Sequence, residues 1–169
     1  MFQNKVNCFF VIIIVLLSGN CFALPEDKNE VINLRADSAD LNQQTHNGKY
    51  IGNVEFDQGS SHLRAAEAIT KANEKNELIK AIAKGSKKEQ AHYWALTAPD
   101  KPPLHAYADK ITYFPERHII ELIGNARVEQ GTDSFSAPKI IYDTEHEHVV
   151  TESDGKKRTV IIFHPEKKA

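Results

Sequence analysis

GNVEFDQG at residues 52–59 returns as GNARVEQG at residues 124–131. The offset from position 52 to position 124 is 72, and it holds without a gap when 34–70 is laid on 106–142. Ala36-Asp37 meets Ala108-Asp109, and Ile51-Gly52-Asn53 meets Ile123-Gly124-Asn125. Gln58-Gly59 meets Gln130-Gly131, Ala65 meets Ala137, and Ile69 meets Ile141. Repetition at one offset implies a stacked or wound architecture in which each unit extends a single core.

A shorter echo sits inside each half: LRADSADL (34–41), LRAAEAIT (63–70), AYADKITY (106–113) and FSAPKIIY (135–142). Each has alanine at its third place, and each is followed by a polar turn and a segment that reaches a glycine. The chain therefore reads as four hairpin-like units of roughly thirty to forty residues. Period-two alternation gives the strands. Val54, Phe56 and Gln58 share one face against Glu55 and Asp57, and Ala126, Val128 and Gln130 repeat this against Arg127 and Glu129. Thr159–Phe163 is β-branched and aromatic. Asn47-Gly48 and Asp154-Gly155 mark tight turns, and Pro99, Pro102 and Pro103 mark a loop between the halves. The fold class this predicts is all-β, with many short antiparallel strands.

One stretch opposes that reading. Residues 65–84, AAEAITKANEKNELIKAIAK, favour helix by local propensity. Their repeat partner, APKIIYDTEHEHVVTESD, favours strand–turn–strand. Propensity is a weak prior that tertiary context overrides, so the repeat predicts a turn at Asn73–Asn76 and strands on either side.

The chain has 169 residues, 41% hydrophobic and 26% charged, with a formal charge of −2. This is the balance of one soluble domain with a core of its own, and it lacks the basic excess of a nucleic-acid binder. The N-terminus differs. Cys8–Leu17 is an unbroken apolar run after a lysine-bearing start, followed by SGNCFA and the charged LPEDKNE. That is the order of a secretory signal peptide over 1–23, cut after Ala23. The run would rise about 15 Å as a helix, half the roughly 30 Å of a bilayer core, which favours cleavage over an anchor continuing through Phe22 and Leu24. Both cysteines, Cys8 and Cys21, fall in this leader. A mature domain over 24–169 would enter an oxidising compartment without disulfides and depend on burial and backbone pairing. Its half-repeats span about 31–85 and 105–155.

At this point the residues resemble a known family. The paired A-D…G-N…Q-G units, AYADKITY, IIELIGNARVEQG, KIIY and SDGKKRTVIIF look like the LptA/OstA-like family of periplasmic lipopolysaccharide-transport proteins. The resemblance covers roughly 30–165. It implies antiparallel strands wound into a V-shaped β-jellyroll with an apolar interior. It implies a periplasmic carrier that lines up head to tail, as a homo-oligomeric bridge between inner and outer membranes. Lipopolysaccharide acyl chains would pass along the shared groove. It implies an LptC-like inner-membrane partner at an N-terminal edge near 31–41, and an LptD-like outer-membrane partner at a C-terminal edge near 158–164. Positions matching Ile32, Leu34, Trp94 and Tyr113 line the lipid path in the family.

The alternation supplies further interior candidates. From the first half these are Val54, Phe56 and Leu63. From the second they are Ile111, Leu122, Val128, Phe135, Ile140 and Tyr142. An apolar stripe is in most cases ordinary core, so the lipid role comes from the resemblance. The physics is consistent with carriage, because each methylene shielded from water is worth about 0.8 kcal/mol. The closest competing reading is a membrane-anchored relative of the same fold, LptC-like. A second competitor is a periplasmic enzyme or metal-binding protein. His146-x-His148 offers two imidazoles on one strand face, but zinc needs three or four ligands and no third has suggestive spacing. No G-x-S-x-G, P-loop or nucleophilic cysteine is present. Asp37 and Asp40 could pose as a glycosidase pair, yet the repeat that copies Asp37 to Asp109 argues for a structural cap. The expectation is a protein that is not an enzyme and holds no cofactor or metal. The lysines and arginine at Lys156, Lys157, Arg158, Lys167 and Lys168 read as a solvated tail.

Overall fold

The computed structural model describes residues 27, 30–146 and 148–164. The leader at 1–23, its cut after Ala23, and Lys167 and Lys168 lie outside the described residues. The chain forms β1 (Asn33–Arg35), β2 (Ser38–Asn42), β3 (Asn47–Gln58), β4 (Ser61–Ala72), β5 (Leu78–Lys84) and β6 (Ala91–Ala95). It continues through β7 (Leu104–Ala108), β8 (Lys110–Phe114), β9 (Ile119–Gln130), β10 (Asp133–Asp143), β11 (His148–Glu152) and β12 (Val160–Ile162). All twelve belong to one hydrogen-bonded sheet, and its pairings are antiparallel.

Four long strands, β3, β4, β9 and β10, each serve two arms. The start of β3 pairs with the end of β4, and its end pairs with the start of β4, with a break in register between Ile51 and Val54. The end of β4 goes on to β5, while its start goes to β6. In the second half, β9 pairs with β8 through Ile119–Ile123 and with β7 through Arg127–Gln130. β10 likewise pairs with β11 at one end and β12 at the other. One arm therefore runs β2-β3-β4-β5-β8-β9-β10-β11, and the other β1-β3-β4-β6-β7-β9-β10-β12. This is an antiparallel β-jellyroll, two arms folded from shared strands.

The doubled Gly-Asn is the corner where a strand leaves one arm for the other. Gly52 and Asn53 have φ of 78° and 45°, and Gly124 and Asn125 have 82° and 48°. Two successive left-handed residues bend the strand and break the ladder, which glycine and asparagine tolerate best. The doubled aspartate holds each corner. The Asp37 N–H donates to the Gly52 carbonyl at 2.9 Å, and Asn53 Nδ2 donates to the Asp37 carboxylate at 3.0 Å. Asp109 makes the same pair of bonds to Gly124 and Asn125, at 2.9 and 3.1 Å. The doubled Gln-Gly forms hairpin turns, with Gly59 and Gly131 at positive φ in two-residue loops joining β3 to β4 and β9 to β10.

Residues 65–84 are strand–turn–strand, as the repeat predicts. Asn73 Oδ1 accepts from the N–H groups of Lys75 and Glu77, each at 2.9 Å, and closes the β4–β5 turn. The Asn47-Gly48 turn is a correction. The β2–β3 turn spans 43–46, and Asn47-Gly48 opens β3. Gly48 is buried there, and a Cβ on it would press on Thr70 Oγ1 at 2.6 Å and Tyr50 Oη at 2.8 Å.

Buried residues fall into two groups along the inside of the roll. The larger joins Ala91, Ala106, Ile111, Leu122, Ala126 and Ile140 with neighbours from β5 to β10, and the smaller joins Tyr50, Val54 and Ala68. Full burial of a side chain such as Ile140 contributes about 1.5–3 kcal/mol.

Candidate functional site

Between the arms lies a trough of about 590 Å³, walled almost wholly by apolar atoms. Its wall draws on β1 and β3 to β11, together with Phe163 beyond β12, so it runs from the first edge of the roll to the last. Seven strand spacings of about 4.8 Å give it roughly 35 Å of length.

Eleven of the thirteen interior candidates line it: Ile32, Leu34, Phe56, Leu63, Ile111, Tyr113, Leu122, Val128, Phe135, Ile140 and Tyr142. The period-two pattern places them there, since each alternates with a residue on the outer face. Val54 points inward but is only 1% exposed, packed with Tyr50 and Ala68 behind the wall. Trp94 is a correction, because it stands on the outer face. In β6 the phase is fixed by pairing: Tyr93 lies beside Leu63 and Ala106 facing the trough, while Trp94 lies beside His62 and His105. Reading the sequence missed Tyr93, Tyr50, Leu78 and Ile120 in the wall. Ile120 was legible two places before Leu122. Leu78 was hidden in the stretch with helical propensity, and Tyr50 between glycines.

The trough holds few polar groups. Ser61 Oγ and Tyr93 Oη lie 3.3 Å apart, and at the rim His46 Nδ1 meets Asn76 Oδ1 at 2.9 Å. The trough can hold an apolar chain by shielding it from water, with affinity set by length and fit.

On the outer face Trp94 stacks between His62 (centroids 4.9 Å) and His92 (4.5 Å), and His92 stacks on Tyr107 at 4.2 Å. Arg64 lies over Trp94 at 5.3 Å and Arg127 over Tyr107 at 4.7 Å. His92 Nε2 and His105 Nδ1 share a hydrogen bond of 3.0 Å. Burial first, then the neighbouring His105, Arg64 and Arg127 charges, lower the His92 pKa to about 4. Asp57 anchors the other end of the stack, 2.7 Å from His62 and 3.0 Å from both Arg35 and Arg64. Burial raises the Asp57 carboxyl, but the bonds and charges of His62 and Arg64 outweigh it and hold the pKa below the ordinary value.

His146 is also a correction. It lies in the β10–β11 turn, bonded to Asp143 Oδ2 at 2.9 Å, while His148 opens β11, so the two do not share a strand face. Among the described residues no three His, Cys, Asp or Glu side chains gather in a way that could hold a metal ion. The Asp37 and Asp109 carboxylates are occupied as corner caps, on Asn53 and on Asn125.

The fold is an open antiparallel β-jellyroll with an apolar trough that runs from edge to edge. The chain belongs to the LptA/(LptD N-terminal domain) LPS transport protein family, whose model matches residues 33–148. It is 33% identical to the lipopolysaccharide export system protein LptH of Pseudomonas aeruginosa, over 99% of this chain and 98% of that protein. It is 24% identical to the lipopolysaccharide export system protein LptA of Haemophilus influenzae, over 96% of this chain and 92% of that protein. The crystal structure of the P. aeruginosa LptH, described as the periplasmic LptA homologue of the lipopolysaccharide transport device, superposes with a TM-score of 0.71. It covers 83% of this chain and 100% of that one at 29% identity.

Proposed function

We propose that this protein carries lipopolysaccharide through the periplasm, holding the acyl chains in the trough between its arms. The observation that carries the reading is the continuity of the apolar wall from β1 to β11 in a member of a lipopolysaccharide-transport family. Shielding a long acyl chain at about 0.8 kcal/mol per methylene yields micromolar-scale binding that still permits handover.

The two ends of the roll support head-to-tail assembly. Among the described residues β1 and β2 pair only with β3, and β11 and β12 only with β10, so each arm ends in an edge with no further partner strand there. Exposed apolar side chains gather at those edges: Val31 and Leu41 at one, Val149, Val160, Ile161 and Phe163 at the other. An edge pairs readily with another strand, and a contact that does not close on itself propagates. A second copy, an LptC-like partner at the first edge and an LptD-like partner at the second are the occupants we propose. A leader over 1–23 delivers the chain, and the remainder acts as one carrier domain without catalysis.

The test is binding. Purified protein mixed with fluorescent lipopolysaccharide is to co-elute with it, and a long-chain fatty acid is to displace it. Failure of any acyl ligand to bind the folded protein would remove the reading.

A further inference from the structure

A second concavity, of about 500 Å³, lies on the outer face of the β2–β5 arm. Its wall includes Asn42, Thr45, Lys49, Lys71 and Lys80, with Asp40 as its one carboxylate among the described residues. Asn42, Asn47, Lys71 and Lys80 follow one another across β2, β3, β4 and β5 in a single lateral row. Lys71 and Lys80 are direct cross-strand partners. Like charges set opposite each other in a sheet repel and destabilise it.

Some lysines elsewhere on the sheet are neutralised. Lys84 pairs with Glu67 at 2.8 Å and Lys139 with Glu152 at 3.2 Å. Lys71 and Lys80 have no carboxylate partner within ion-pair distance among the described residues. Lys80 instead rests over the Phe114 ring at 5.1 Å, which Arg117 also approaches, at 5.2 Å. A row of ammonium donors beside amide and hydroxyl groups, with repulsion to relieve, is the chemistry of a phosphate site.

Its position gives it a use. Asn47, Gly48, Ile69 and Ile82 border both this cleft and the apolar trough. We infer that the cleft receives a phosphate of the amphiphile whose acyl chains occupy the trough, across the rim at Gly48. The inference rests on the carrier reading and deepens it: the cargo is recognised as a phosphorylated lipid. Free inorganic phosphate shares the chemistry, and the test separates the two.

The experiment compares the protein purified from cells with its Lys71→Gln/Lys80→Gln variant. A fluorescent fatty acid reports occupancy of the trough, and phosphorylated lipid A, dephosphorylated lipid A and inorganic phosphate serve as competitors. Both lysines sit at the surface of strands, so the variant is to melt within a few degrees of the parent. The parent is to prefer phosphorylated lipid A by about tenfold, the worth of one or two charge-assisted hydrogen bonds. The variant is to lose that preference and keep its affinity for the dephosphorylated lipid. A parent without preference, or a variant that retains it, overturns the cleft while leaving the carrier reading intact. Displacement by neither lipid overturns both. Inorganic phosphate that binds the lysine pair as tightly as the lipid phosphate does would make this a free-phosphate site and overturn the headgroup assignment.

Discussion

The Asp109 carboxylate accepts a hydrogen bond from Asn125 Nδ2 at 3.1 Å, while the Asp109 N–H reaches back to the Gly124 carbonyl at 2.9 Å. Asp109 and Asn125 are sixteen positions apart in the chain, and the pair fastens the bend at which β9 passes from one arm to the other. The same fastening at Asp37 and Asn53 makes the corner a repeated device.

A Cβ on Gly124 would collide with the Asp109 carboxylate, and φ is 82° there. Gly124→Ala is therefore expected to destabilise the protein by about 1–3 kcal/mol, read by urea denaturation. Gly52→Ala is expected to act in the same way at the other corner. Gly155→Ala, in a turn with nothing near a Cβ, is to cost less than either.

Phe56 lines the trough and Trp94 the outer face. Phe56→Arg is expected to abolish binding of an acyl probe, since a cation in the trough must be desolvated. Trp94→Ala is to lower the melting temperature by loosening the stack with His62 and His92, and to leave probe affinity within about twofold. Fluorescence titration beside thermal melts distinguishes the two.

His92 has a folded pKa of about 4 against an unfolded value near 6.5. Between those values the unfolded chain binds more protons, so stability falls as pH drops. The contribution is full above about pH 6.5 and is lost on the way down to about 4. Asp57, with its pKa lowered, responds below that window. Melting temperature is thus expected to fall from pH 7 to pH 4.5, and His92→Gln is to flatten the fall.

Ile161 is half exposed on the edge strand β12. Ile161→Asp is expected to shift concentration-dependent oligomers toward monomer in sedimentation velocity, with the melt little changed. Oligomers that persist unchanged would remove β12 from the contact.

Much of this fold was legible because two signals agreed. The 72-residue repeat gave the strand–turn units, and period two gave the inward phase of Phe56, Val128 and Ile140. That agreement also overruled the helical propensity of 65–84, where β-ladders on both sides decide the outcome. What failed was phase and turn position where neighbours from distant strands choose. In AHYWA both phases hold a large aromatic residue, and the pairing of Tyr93 with Leu63 and Ala106 turns Tyr93 inward. Asn47-Gly48 reads as a turn locally, yet Gly48 is small because Tyr50 and Thr70 occupy its space. The lysine cleft was invisible for the same reason, since Lys71 and Lys80 become partners only through the register of β4 on β5.

Adjacent residues on β6 give the most direct test of the account. A photocrosslinking amino acid is placed at Tyr93 in one strain and at Trp94 in another, and cells are irradiated and probed for lipopolysaccharide adducts. An adduct is expected at 93, which faces the trough, and none at 94, which faces outward. Adducts at both positions, or at 94 alone, in an exported and folded protein would contradict it.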